Sequence, residues 1–329
     1  GILGIPYVVA QAGFWIGTAN IVQRRLVMLI MYLYFGEVAL RTKGNHQLTG
    51  YAQRYLGRLG KGLMAFSMIF GIYGAMTAYI LGEGTAFSAI FGGNPWIYSI
   101  GFFAVASLIV YLGLKQVAES ELWMLPGIIA VVGLIAFFAF RFIDLSNFTA
   151  FNYMRFFLPY GVIFFAFLGA AAIPEMEQHL FRNEKALKKC IIIGIIIPII
   201  VYLIFAVVIV GVTGPGTTEI ATIGLGAVIG EHMVLLGNIF AIITMATSFL
   251  ALSYVLKGVY QRDYHLSPFI ASFLTCSLPL IIFLLGLRSF VQVLGISGAI
   301  LSGFQGILCL LYTSPSPRDL STSRMPSSA

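Results

Sequence analysis

The sequence contains few charged residues: Asp, Glu, Lys and Arg make up 9% of its 329 residues, against about a quarter in a typical soluble domain. Hydrophobic residues supply 59%, a composition that excludes an ordinary soluble fold. Histidine is scarce too, with 4 scattered residues, whereas a membrane-embedded enzyme normally clusters His, Asp or Glu at helix ends. These absences predict an all-α polytopic membrane protein and leave a membrane-embedded enzyme as an unfavoured alternative.

Cysteine is equally rare, and the 3 cysteines, Cys190, Cys276 and Cys309, show no spacing typical of a disulfide framework or a metal site. A channel is not favoured, because the sequence shows no repeated filter-like loop and no ring of charge. We expect no metal site, no organic cofactor and no nucleic-acid partner. The oligomeric state is not specified by any pattern in the sequence.

Long apolar segments are what the sequence has in abundance. A bilayer core about 30 Å thick needs roughly 20 apolar residues per helix. The apolar segments predict membrane spans, the first and last incomplete, near residues 1–13, 15–40, 62–91, 95–114, 122–143, 158–181, 190–212, 233–257, 268–287 and 290–308.

Basic residues fall mainly on alternate connections between these spans. Twelve lie on one side: Arg41, Lys43, Arg54, Arg58, Lys61, Lys115, Arg182, Lys185, Lys188, Lys189, Lys257 and Arg262. Three lie on the other: Arg141, Arg155 and Arg288. Cytoplasmic loops carry the excess of Lys and Arg, so the first side is predicted to be cytoplasmic, in a plasma (inner) membrane, with the N-terminus on that side.

Two similar glycine-to-proline elements occur inside apolar segments, GILGIP at residues 1–6 and GAAAIP at residues 169–174. Glycine and proline weaken or break a helix, and a membrane tolerates the freed backbone groups only where protein or a cavity surrounds them. The charge pattern places spans one and six in opposite directions. Inverted repeats of five helices, each with a broken first helix, explain both observations. Two unrelated proline kinks are the alternative.

The first of these elements also carries a family resemblance. With Tyr7 and Gly13 following it, residues 1–6 resemble the amino acid/polyamine/organocation transporter superfamily, in particular its auxin and amino acid permease and aromatic amino acid permease types. Shorter supporting pieces are FFAFLGAAAIPEM (164–176), ATSFLALS (246–253) and VLGISGAI (293–300). The resemblance implies a leucine-transporter-like fold of 5+5 inverted repeats, with broken first and sixth helices and truncated at both ends. It also implies an amino acid substrate moved by alternating access.

The resemblance further implies a substrate site at the two breaks. A zwitterion suits such a site, because its carboxylate matches unpaired N–H groups at a half-helix start and its ammonium matches unpaired carbonyls at a half-helix end. Ordinary packing is an alternative for Phe164 and Tyr79. The implied residues are Gly1, Ile2, Leu3 and Gly4 for the carboxylate, Ala166, Phe167 and Gly169 for carbonyls and a hinge, Phe164 and Ala170 for the side-chain pocket, and Tyr79 of the third span.

Two ions are candidates for driving transport. Glu83, within the third span, is the candidate proton carrier, because intramembrane carboxylates are costly and mark functional positions. Thr247 and Ser248 of the eighth span are the candidate sodium ligands, although a membrane hydroxyl more often bonds its own helix. Apolar residues around the breaks favour a neutral or aromatic amino acid. The resemblance to aromatic amino acid permeases, together with Glu83, implies a proton symporter. A sodium-coupled transporter of amino acids or other small solutes is the alternative.

Two basic residues lie where the pattern does not expect them: Arg24 and Arg25 fall in the middle of the second span. A shifted boundary, a sequence error and a function all stay open for them.

The loop at residues 46–62 spaces Tyr51, Tyr55 and Leu59 four apart, with basic residues between them. This spacing predicts an amphipathic helix in the membrane interface, which contacts lipid or else acts as a structural cap.

The end of the sequence differs from the rest. CLLYTSPSPRD (309–319) and SRMPSSA (323–329) resemble the in-frame translation of sequencing-library adapters. We therefore expect a single transmembrane domain at residues 1–308 and a non-native tail at residues 309–329. A natural Ser/Pro-rich tail is the alternative.

Overall fold

The computed structural model describes residues 1–42, 48–113, 121–180, 183–262, 264–287 and 289–313, and these contain helices but no strand. The helices, numbered in chain order, are α1 Ile5–Ala12, α2 Phe14–Arg41, α3 Leu48–Phe91, α4 Pro95–Leu112, α5 Glu121–Ala139, α6 Pro159–Ala166, α7 Ala172–His179, α8 Glu184–Thr213, α9 Ala221–Ile229, α10 Glu231–Arg262, α11 Pro268–Leu284 and α12 Phe290–Thr313.

Every predicted span coincides with a helix or a pair of half-helices. Among the described residues, 5 helices are long and apolar enough to cross a membrane: Leu48–Phe91, Pro95–Leu112, Glu184–Gly216, His232–Gln261 and Phe290–Ile307. Shorter apolar helices cover Ile2–Ala12, Pro126–Phe142 and Pro268–Leu284. The outer faces of these helices expose large apolar side chains such as Leu108 and Ile243. The protein is therefore an all-α multi-pass membrane protein.

The second glycine-to-proline element lies at a helix break, as predicted, and the first lies at the turn that leads into α1. The sixth span is divided into α6 and α7, and a short 3₁₀ turn at Ile2–Gly4 leads into α1. Pro6 and Pro174 each lie in the first turn of the half-helix that follows the break. The first turn is where a missing N–H is tolerated, because those groups have no intrahelical partner.

The amphipathic segment forms the start of α3 and packs partly against α2. Tyr51 is fully buried and makes an edge-to-face contact with Phe35, at 5.3 Å between ring centroids. The hydroxyl of Tyr55 lies 2.8 Å from Oγ1 of Thr42. Leu59 is 76% exposed and follows Gly57, whose φ of 70° interrupts the helix. For Tyr51 and Tyr55, these contacts support the structural cap.

Glycines permit the closest helix crossings in the core. A methyl group added at Gly298 of α12 would collide with the carbonyl of Gly161 in α6, and one added at Gly161 would collide with the backbone of Gly295. Gly71 of α3 similarly faces the side chain of Leu301 in α12. Small residues at these positions bring backbones together, as is usual in membrane helix packing. Helix α12 is thereby held against both α3 and α6, next to the break in the sixth span.

The expected tail lies largely outside the described residues, because residues 314–329 are not among them and only the backbone of 308–313 is described. Its non-native origin stays a prediction.

Candidate functional site

A cavity of about 330 Å³ lies where the first half-helix meets the broken sixth span. Its walls come from Gly1, the break between α6 and α7, and helices α3, α10 and α12. Six of the predicted residues line it: Gly1, Tyr79, Ala166, Gly169, Ala170 and Ser248.

The two breaks touch each other at this cavity. A Cβ atom built on Gly1 would lie 2.6 Å from both Cα and Cβ of Ala166, so only glycine fits without displacing α6. Backbone from both breaks therefore reaches the cavity, an arrangement typical of transporter binding sites built from discontinuous helices.

Several other predicted residues do not line this cavity. Ile2 and Leu3 are buried in the core, at 8% and 2% exposure. Gly4 faces Phe290 and Leu294 of α12, and its N–H bonds the Gly1 carbonyl at 3.2 Å. Of residues 1–4, Gly1 alone lines this cavity, and the contact of these residues with the substrate stays a prediction.

Phe164 also lies elsewhere. Its ring packs 4.8 Å from that of Tyr160 and lies beneath the Arg24 guanidinium. The next residue, Phe165, lines the cavity instead. Successive helix residues point about 100° apart, so an error of one position moves a side chain to a different face. The contacts of Phe164 therefore favour packing, and a contact between Phe164 and the substrate stays a prediction.

Tyrosine hydroxyls occupy the carbonyls that were predicted to face the substrate ammonium. The Tyr202 hydroxyl donates to the Ala166 carbonyl at 3.2 Å, and the Tyr32 hydroxyl donates to the Phe167 carbonyl at 2.9 Å. Tyr32 also accepts a hydrogen bond from the Gly169 N–H at 2.8 Å. Each carbonyl retains a second lone pair that can still accept a hydrogen bond. Tyr32 of α2 and Tyr202 of α8 nevertheless fix the position of the break through these bonds. No local sequence signal identifies these long-range contacts.

The described lining of the cavity is mainly apolar and contains no charged side chain. Its polar side chains are Tyr79, Ser248 and Gln305. Gln305 of α12 is 7% exposed and was missed in the sequence. The available signal was an isolated amide in an otherwise apolar segment. Such a lining, with few polar groups among many apolar ones, is typical of small-molecule sites.

The two candidate sodium ligands are separated by the helix geometry. Thr247 donates its hydroxyl to the carbonyls of Ile243 and Thr244 in its own helix, at 2.6 and 3.2 Å. Ser248 lines the cavity, whereas Thr247 does not. As adjacent residues of α10, they point in different directions.

Glu83 is completely buried in α3, away from the cavity lining. Among the described residues neither carboxylate oxygen makes a hydrogen bond of good geometry, although the backbone N–H of Ala246 in α10 lies near enough to donate to it. The flanking glycines permit this burial, because Gly82 faces Met245 and Gly84 faces Ser99. An isolated ionised carboxylate is costly in such surroundings, so its charge depends on whether water reaches it.

These features define a transporter: in a multi-pass membrane fold, broken helices meet at a cavity whose described lining carries no charged side chain. The chain belongs to the tryptophan/tyrosine permease family, whose sequence model matches residues 1–315. This family confirms the predicted kinship with amino acid permeases, and it excludes the enzyme alternative.

A named relative and a solved structure are consistent with that family. The chain is 24% identical over 322 residues to glutamine transporter 2 of Aliivibrio fischeri, covering 92% of this chain and 81% of the relative. The structure of the present chain resembles that of Mhp1, a nucleobase-cation-symport-1 transporter in a closed conformation with bromovinylhydantoin bound. The TM-score is 0.64 at 12% identity, over 98% of this chain and 78% of Mhp1. This likeness confirms the leucine-transporter-like fold.

Proposed function

We propose that the protein takes up neutral amino acids, aromatic ones among them, across the plasma membrane by alternating access in symport with protons. The observation that carries this proposal is the uncharged cavity between the two helix breaks. Backbone of Gly1 and of the sixth-span break lines this cavity and suits a zwitterion, and the absence of charged side chains from its described lining matches a neutral side chain.

The size and polarity of the cavity support this range of substrates. About 330 Å³ bounded by Ile72, Phe165 and Leu252 offers an apolar contact surface. Ser248 and Gln305 add hydrogen-bonding groups for a polar group on the substrate side chain. The family name points to tryptophan and tyrosine, and the name of the relative points to glutamine. All three are neutral.

A competition assay tests the substrate class. We expect radiolabelled tyrosine uptake by liposomes containing the full-length protein to fall strongly with excess Trp, Tyr, Leu or Gln. Lys and Glu should compete poorly, because burying an unpaired charge in this cavity is costly. Empty liposomes give the background. A clear preference for a cationic or acidic amino acid would contradict the proposal.

Proton coupling is assigned to Glu83, because it is a completely buried carboxylate within the membrane-spanning helix α3. We expect uptake to respond to an inward proton gradient and to continue without sodium. Glu83→Gln removes the titrating group and should abolish gradient-driven accumulation while leaving substrate exchange measurable. Glu37→Gln is the matched control, because Glu37 is a half-exposed carboxylate paired with Arg41.

The sodium alternative makes the opposite prediction. Sodium ligation by the α10 hydroxyls would make uptake depend strictly on sodium, and both Thr247→Ala and Ser248→Ala would weaken the apparent sodium affinity. The bonds of Thr247 to its own helix favour the proton reading. Strict sodium dependence together with an active, gradient-driven Glu83→Gln variant would reverse the assignment.

A further inference from the structure

A second cavity lies behind the break of the sixth span. It has a volume of about 300 Å³ and is bounded by α2, α8 and the break. Ala166, Leu168 and Gly169 line both this cavity and the central one. The unwound segment is thus a thin wall with the central cavity on one face and the second cavity on the other.

Arg25 of α2 projects into this second cavity and is 2% exposed. Its guanidinium lies over the ring of Phe167, in the break itself. The only protein acceptor recorded for it among the described residues is the Ile195 carbonyl, at 3.5 Å from Nη1. Its Nε is buried without a partner there.

Among the residues whose side chains the structure describes, no counter-charge to Arg25 lines this cavity. The described lining contains no acidic side chain and is mostly apolar, with Ile191, Ile195 and Pro198 on the α8 side. The neighbouring Arg24 differs, because its Nε donates to Oδ1 of Asn20 at 3.0 Å and its guanidinium stacks on Tyr160. A buried charge within a membrane normally pairs with a counter-charge, and an unpaired one is strongly unfavourable.

We propose that the second cavity is a binding site for a small monovalent anion, chloride or a compact carboxylate, held by the Arg25 guanidinium. One guanidinium balances a single negative charge, and its unused N–H donors suit a halide or carboxylate. The apolar walls disfavour a multivalent ion, which would keep its hydration shell. The site is separate from the proposed substrate cavity and does not depend on which solute is carried.

The position of the anion gives it an effect on the hinge. Arg25 stacks on Phe167, and Tyr32, which also lines the second cavity, bonds two backbone groups within the break. An anion on Arg25 fixes the guanidinium and hence the ring beneath it. Occupancy therefore stabilises the conformation of the break that the structure shows.

Thermal unfolding of the purified full-length protein tests the site, with sodium chloride or sodium acetate titrated against sodium gluconate at constant ionic strength. We expect chloride to raise the melting temperature saturably by about 3 °C, the size of shift that specific ligand binding produces. A shift with acetate as well identifies a site that also takes carboxylates. Chloride alone identifies a halide site.

Matched variants separate specific binding from general salt effects. Arg25→Met should lose the shift without melting lower than the wild type in gluconate, because it removes an unpaired buried charge. Arg25→Lys should keep a shift at higher anion concentration, and Arg24→Gln should keep the wild-type response. Equal shifts in the wild type and Arg25→Met, or no shift in the wild type, would overturn the proposal.

Discussion

Tyr32 holds the broken sixth span through a single hydroxyl, which donates to the Phe167 carbonyl and accepts from the Gly169 N–H. Tyr32→Phe leaves both backbone groups without this partner inside the membrane. We expect a loss of about 1–3 kcal/mol in stability, the usual cost of unpaired buried groups. Thermal unfolding in detergent measures the loss, and slower uptake should accompany it because the hinge is less ordered.

Tyr34→Phe on the same helix is the control, because the side chain of Tyr34 is 53% exposed. Equal stability of the two variants would show that the Tyr32 hydroxyl does not hold the break. The sequence could not predict this role, since 135 residues separate Tyr32 from Phe167. A tyrosine in an apolar helix gives no local sign of its partner.

The positions of the helices in the sequence were far more predictable than the places where the helices contact one another. Helix α12 meets α6 where a Cβ on Gly298 would strike the Gly161 carbonyl and approach Cβ of Phe165 to 2.6 Å. Gly298→Ala should therefore destabilise the protein by about 1–3 kcal/mol through overpacking. Since Phe165 lines the central cavity, uptake should fall as well. Melting temperature and uptake rate check both effects.

Gly303→Ala on the same helix tests whether steric conflict is the cause, because no described residue of another element lies within 4 Å of the Cβ it adds. Alanine favours a helix interior over glycine by about 0.5–1 kcal/mol, so this variant should be no less stable than the wild type. Similar losses at both positions would refute the crossing. The segment VLGISGAI contributed to the family resemblance, but its spacing alone did not indicate which helix Gly298 contacts.

For the whole molecule, hydropathy and charge predicted the spans and their directions, and the two glycine-to-proline elements predicted the broken helices, because the bilayer constrains both. A span needs a fixed length of apolar residues, and a broken helix needs protein or a cavity around it. The site required more information, namely the rotation of each half-helix. The sequence indicated Phe164 as a lining residue of the central cavity, whereas the neighbouring Phe165 lines it. The second cavity forms where α2 packs against the break. Neither the rotation of a half-helix nor the contact between α2 and the break can be inferred from composition.

The orientation of the molecule in the membrane is the remaining whole-chain expectation, and it follows from the basic residues. Lys185 is exposed at the start of α8, in the basic region assigned to the cytoplasm, and Ser146 is exposed in the loop assigned to the outside. We replace all native cysteines and introduce Lys185→Cys or Ser146→Cys singly. A membrane-impermeant maleimide should label Ser146→Cys in intact cells, and Lys185→Cys only in inside-out vesicles, since basic loops stay on the cytoplasmic side. The reverse labelling would invert the orientation, and with it the direction in which the central cavity delivers its solute.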